Sequence, residues 1–238
     1  EDKWPGPRPR RKLDLAFERI HLANVALWIQ KPTLAEVRFA THAVYDGGQW
    51  VPKRFMDMKP FAIHDSDVDR FLAWSDFEAA KRIHETIENL KRPETLWVAI
   101  RALLRALTET EWQFRYLVAW MVLEALFGPD EPGETIFQLA YRGAMFRADS
   151  PAERKKVFMK IKDAYRVRSQ IVHGRKVNVK SHESIVYMKD TEELIRRALL
   201  KVLESRDLTR VFSTAERNGF LQTLSLSGSR ETNTLISD

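Results

Sequence analysis

The chain of 238 residues contains no cysteine. Neither a disulfide framework nor a thiolate metal site can be built from it, and a reducing, cytoplasmic setting is the expectation that follows. Glycine is scarce. There are nine, too scattered for a loop that cradles phosphate. Long apolar runs are missing as well. The longest, LVAWMVLEALF from Leu117 to Phe127, is too short for a hydrocarbon core of about 30 Å, and it carries Glu124. No membrane span is expected, and no secretory leader is legible. The first residue is Glu1 rather than Met, so a trimmed or excised chain with further sequence upstream is expected. The histidines His21, His42, His64 and His182 show no ligand spacing, and HETIE (His84–Glu88) lacks the second histidine of a zinc-protease helix. SLSGS near the end has no strand–turn–helix setting for a serine nucleophile. No metal and no cofactor are expected.

What the chain does have is an unevenly placed positive charge. The net charge is +6. Between Arg154 and Lys180 ten lysines and arginines face Asp163 alone, so this segment carries +9, more than the excess of the whole chain. Such a run is either a solvated helix face or a surface for phosphate groups. At 44% hydrophobic residues, a chain of this length can bury roughly 70% of the surface its unfolded form exposes.

The pattern along the chain is mostly α. Residues 1–12 (EDKWPGPRPRRK) are a basic, proline-rich arm. Residues 13–74 read as an N-terminal helix, about Leu13 to Gln30 and stopped by Pro32, followed by a small β-hairpin. Its strands, VRFATHAVY and QWV, flank the turn Asp46-Gly47-Gly48, and a lone hairpin is marginal in water, so it is expected to pack on the core. Residues 75–221 read as a helical bundle. Ser75 is the expected cap of its first helix, Pro93 opens the second, and Trp112–Phe127 is apolar nearly all round and therefore central. After the break GPDEPG comes a helix from about Glu134 to Arg147. SPAE then supplies a capping box, Ser150 with Glu153, around Pro151. DTEE (Asp190–Glu193) has the same spacing and is expected to start another helix. Residues 222–238 are a polar, Ser/Thr-rich tail expected to be disordered.

One residue breaks this pattern. In the helix that begins at Pro151, Arg168 lies seven residues after Ile161, within about 20° of it around the axis. It therefore falls on the apolar stripe, where a guanidinium needs a carboxylate or other acceptors. Glu124, a charge in the apolar central helix, is the candidate partner. A buried ion pair that fixes register would account for both. His173, five residues on, is about 140° from Arg168 around the helix. Gly174 can end the helix in a left-handed conformation, so His173 also reads as a plain C-terminal cap. A symmetric dimer could bring Arg and His of two chains to one interface.

The block YRVRSQIVHG (Tyr165–Gly174) resembles the Arg-x4-His signature of HEPN domains, the Apea-like HEPN group in particular. LEALFG (Leu123–Gly128), YRGAMF and the Tyr-x-x-Arg-Ser-x-Ile-Val-His-Gly block stand in the order that group shows, and the resemblance covers about residues 75–205. It implies a HEPN-like helical bundle that dimerises, so that two Arg-x4-His motifs line a shared cleft. It further implies a metal-independent endoribonuclease acting on single-stranded RNA or tRNA, in phage defence or a toxin-like role, with an antitoxin or sensor as further partner. Carried onto this chain, Arg168 would neutralise the scissile phosphate and His173 would move protons or position the 2′-hydroxyl. Glu124, Ser169 and Tyr165 would support them, and Arg166, Arg175, Lys176 and Lys162 would hold the RNA backbone. Ser169 stands where active members often carry Asn, Asp or His, and serine does no acid–base work near neutral pH. RNA brings its own nucleophile, so the chemistry needs positioning, a guanidinium for the developing charge and an imidazole for the proton. Two other functions fit the same residues: a non-catalytic HEPN module binding RNA or a protein partner, and a DNA-binding regulator using the basic helix. No short helix–turn–helix spacing lies near the basic run to favour the last.

Overall fold

The computed structural model describes residues 12–33, 37, 39–46, 48–57, 61, 71–92, 94–129, 135–174 and 181–232. Among them nine helices and one two-stranded sheet follow in the order α1 (Lys12–Gln30), β1 (Phe39–Asp46), β2 (Gln49–Asp57), α2 (Trp74–Glu88), α3 (Thr95–Leu107), α4 (Trp112–Phe127), α5 (Thr135–Arg147), α6 (Pro151–Val172), α7 (Ser181–Glu204), α8 (Arg206–Ser213) and α9 (Glu216–Thr232).

α4 is the central helix the sequence predicts. Tyr116, Ala119, Trp120, Val122, Leu123, Leu126 and Phe127 are all buried along it, so it needs neighbours on every side. α3 packs along it with Leu96, Ile100, Leu103 and Leu107 buried. α5, α6 and α7 cover its other faces. Edge-on aromatic pairs run along one flank, Trp112–Tyr116–Trp120 and then across to Tyr165 on α6. A second aromatic group, Phe127, Phe146, Phe212 and Phe220, joins α4, α5, α8 and α9. The carbonyls orphaned at the end of α4 are met by two buried arginines, Arg217 Nη1 donating to Ala125 O (2.5 Å) and Arg142 Nη1 to Phe127 O (3.5 Å).

The hairpin forms at the predicted turn, Asp46 pairing with Gln49 and Gly48 taking φ +89°. β2 is longer than the three residues QWV and carries Pro52 beside a register shift at His42/Ala43. On the hairpin, the described side chains of Phe39, Tyr45 and Trp50 are exposed. Its described tether is Asn24 on α1, whose amide receives Val37 N–H (3.0 Å) and donates to Val37 O (3.1 Å).

Three boundaries differ from the sequence reading. α2 starts at Trp74 rather than after Ser75, because Asp76 reaches back to accept Ala73 N–H at 2.9 Å and caps one residue pair earlier. α7 runs unbroken through Asp190–Glu193. These acids are not a cap but partners for neighbouring helices: Asp190 for Lys160, Glu192 for Arg115. The stretch from Gln222 to Thr232 is helical, continuing α9 from the anchor that Phe220 and Leu221 make in the core. The Ser150 cap holds, its hydroxyl accepting Glu153 N–H at 3.3 Å with Pro151 in the first turn.

Candidate functional site

α6 is fixed against α4 before any charge is considered. Ile161, Ala164 and Val167 are buried, and the Tyr116 hydroxyl donates to Ala164 O at 2.8 Å. Burial pushes the Tyr116 phenol up to about 12, although the polar groups of Trp120 and Thr191 nearby oppose the rise.

Arg168 and Glu124 pair as anticipated, Nη2 donating to Oε1 at 3.1 Å. The pair is not fully buried. The side chains are 27% and 34% exposed, and Val167 beside Arg168 takes the buried position. Cover thins here because α4 stops at Phe127, three residues past Glu124. Arg168 Cζ stands 5.6 Å from the centre of the Tyr165 ring, and its Nε is buried with no hydrogen-bond partner. The guanidinium is thus held from two sides with donors unspent.

His173 is the C-terminal cap of α6 (φ −84°, ψ 10°) and is exposed. Its N–H donates to the backbone carbonyl of Ser169 at 3.1 Å, and Gly174 follows at φ +60° with its N–H on Ile171 O at 3.0 Å. α6 is regular to Val172, so the roughly 140° between Arg168 and His173 stands and one chain does not bring the two side chains to a point. Extending the pitch to the cap puts Lys155, Lys162, Arg166 and His173 within about 20° of one line. All four are exposed, and the basic column therefore leads to His173 rather than to Arg168. Arg166 also lies 3.7 Å from Asp163, and Lys162 Nζ 5.4 Å from the Phe158 ring centre. Arg175 and Lys176 fall outside the described residues.

The most buried charge on α4 is not Glu124 but Arg115, 4% exposed, which grips Glu192 of α7 through Nε (2.7 Å) and Nη2. Arg115 breaks the apolar run as Glu124 does, and that was its signal. Its partner is hidden in the sequence because Glu192 falls within the capping-box spacing of Asp190–Glu193. Glu193 next to it is partly buried, which raises its pKa, but the guanidinium groups of Arg196 and Arg197 outweigh that and hold it below the usual range. Among the described residues no group of three His, Asp or Glu side chains has the arrangement of a metal site, and no helix is long and apolar enough to cross a membrane. Comparison with protein-family models, with curated proteins and with solved structures finds no match.

Proposed function

We propose that the chain is a metal-independent endoribonuclease of HEPN type, with a composite site formed when two copies meet over the C-terminal turns of α6. The reading rests on the resemblance of Tyr165–Gly174 to the Arg-x4-His signature. The observation that carries it is the partly exposed Arg168, oriented by Glu124 and Tyr165. An arginine so placed can turn its remaining N–H groups to a phosphate.

In the proposed reaction the 2′-oxygen attacks phosphorus, forming the P–O2′ bond while the P–O5′ bond breaks. Arg168 offsets the charge on the non-bridging oxygens. His173 takes the 2′ proton or supplies the one that leaves with the 5′-oxygen, and the products are a 2′,3′-cyclic phosphate and a 5′-hydroxyl. Because the two side chains diverge on one helix, His173 would come from one copy and Arg168 from its partner. Exposed apolar groups near them, Met121 on α4 and Val172 on α6, give the second copy a surface to cover. The line Lys155–Lys162–Arg166 would hold the RNA backbone on the way to His173. A role in phage defence or as a toxin, with an antitoxin or sensor as partner, belongs to the same proposal.

The test is incubation with labelled single-stranded RNA and tRNA in excess EDTA, beside His173→Ala, with sedimentation of the same samples. Cleavage by the unaltered protein alone, with cyclic phosphate ends, and a dimer at micromolar concentration are the expected results. A monomer that cleaves, or cleavage unaffected by His173→Ala, would sink the composite site. The divergence of Arg168 and His173, together with Ser169, favours a second reading, a non-catalytic HEPN module that binds RNA or a protein. Retention of RNA with no cleavage under any of these conditions would establish it.

A further inference from the structure

A cleft of about 310 Å³ opens between α4, α6 and α7, away from the Arg168–Glu124 pair, with Arg147 from the end of α5 on its rim. Its inner wall is apolar: Trp120 and Leu123 of α4, Ile161 of α6 and Leu194 of α7. Its rim is charged, and the charges do not balance. Asp190 is taken by Lys160 at 2.8 Å, and Glu193 by Arg196 (2.7 Å) and Arg197. Arg147 and Lys156 also line the cleft, and among the described residues neither makes an ion pair or hydrogen bond, Glu193 and Glu153 acting on Arg147 only at longer range. Arg147 is partly buried, and burial first, then the Arg197 guanidinium beside it, lowers its pKa against the opposing pull of Glu193. A half-buried cation beside another of its own sign is a poor arrangement unless an anion joins them.

Trp120 and Thr191 line the floor and are almost wholly buried, their polar groups at the Tyr116 hydroxyl, so the floor offers a ligand an apolar surface. The size also falls within the range of small-molecule sites, with an apolar body and few convergent polar groups.

We propose that this cleft binds a small organic phosphate with a flat apolar body, the phosphate on Arg147 and Lys156 and the body against Trp120, Leu123 and Ile161. The site is separate from the proposed ribonuclease centre and does not rest on that reading.

Calorimetry with 1-naphthyl phosphate tests it, beside inorganic phosphate and 1-naphthol as half-ligands. One saturable site per chain for the naphthyl phosphate is expected, with each half-ligand weaker by about tenfold or more. Arg147→Gln and Lys156→Gln should each weaken binding by roughly tenfold, while Arg168→Ala binds as the unaltered protein does. Among the described residues neither Arg147 nor Lys156 makes an ion pair or hydrogen bond, so both variants are expected to fold, which circular dichroism checks. No saturable binding, equal affinity for 1-naphthol, or unaltered affinity in both variants would overturn the proposal. So would loss of binding in Arg168→Ala, which would move the phosphate to the other site.

Discussion

Arg168 Nη2 and Glu124 Oε1, 3.1 Å apart, join the last third of α6 to the last turn of α4. A pair this exposed contributes less than about 1 kcal/mol to stability. Its value under the proposed function is orientation. Arg168→Ala and His173→Ala are each expected to lower RNA cleavage by about 10²–10³-fold, with RNA affinity changed only modestly. Glu124→Gln keeps an acceptor and loses the charge, and a fall of about tenfold is expected with little change in the urea midpoint. Unchanged cleavage in Glu124→Gln with a large loss of stability would make the pair a structural clamp alone.

Gly128 ends α4 one turn after Glu124. A Cβ built on it would stand 2.5 Å from Glu124 O, the carbonyl that accepts Gly128 N–H at 2.8 Å. The obstacle is backbone and cannot rotate away. Gly128→Ala is expected to cost about 1–3 kcal/mol in urea denaturation and to disturb Glu124 along with it. Gly174→Ala meets no atom within 4 Å, so only its φ of +60° opposes the change, and a cost of about 1 kcal/mol is expected.

Arg115 and Glu192 make the opposite case, a pair nearly out of reach of water. Arg115→Met removes the buried guanidinium that Glu192 accepts from, and a loss of several kcal/mol, up to about 3–5, is expected. Adding Glu192→Leu should recover much of it, since two apolar groups need no partners. Urea midpoints of the two singles and the double give the coupling. If the double variant is as unstable as the sum of both singles, the ion pair is not the unit that matters.

Tyr116 predicts an alkaline weakness. Its pKa rises from 10.0 to about 12 on folding, so the folded chain holds the phenolic proton where the unfolded chain has released it. Stability from this group is complete below pH 10 and declines as pH rises through 10 to 12, by about 1.4 kcal/mol per pH unit. Tyr116→Phe gives up the hydrogen bond to Ala164 O, about 1 kcal/mol near neutrality, and should show a shallower decline above pH 10. Equal slopes for the two proteins in urea titrations from pH 9 to 11 would contradict this.

The sequence showed most of the helices because their signals are local. Ser150, Pro151 and Glu153 start α6 wherever it packs, and the all-round apolar face of Trp112–Phe127 leaves α4 no place but the centre. It also showed the Arg168–Glu124 pair, because two opposite charges interrupt two apolar stripes. What it did not show depends on distant neighbours. Asp190-Thr191-Glu192-Glu193 has the spacing of a helix start, and only the positions of Lys160, Arg115 and Arg196 reveal it as the middle of one. The polar end of α9 reads as a free tail, since its helix propagates from Phe220 and Leu221 rather than from its own composition.

α7 is about 36 Å long, and its polar side chains reach four other helices in turn. Asp190 meets α6, Glu192 meets α4, Arg196 meets the final carbonyls of α1 at Ile29 and Gln30, and Lys201 meets Phe146 O of α5. A slip of one residue would turn every one of these groups by about 100° and break all four connections together. α7 therefore acts as the gauge against which the other helices are set. Its central amides are expected to exchange with deuterium only when the whole bundle opens, while those of the hairpin exchange through far cheaper local openings.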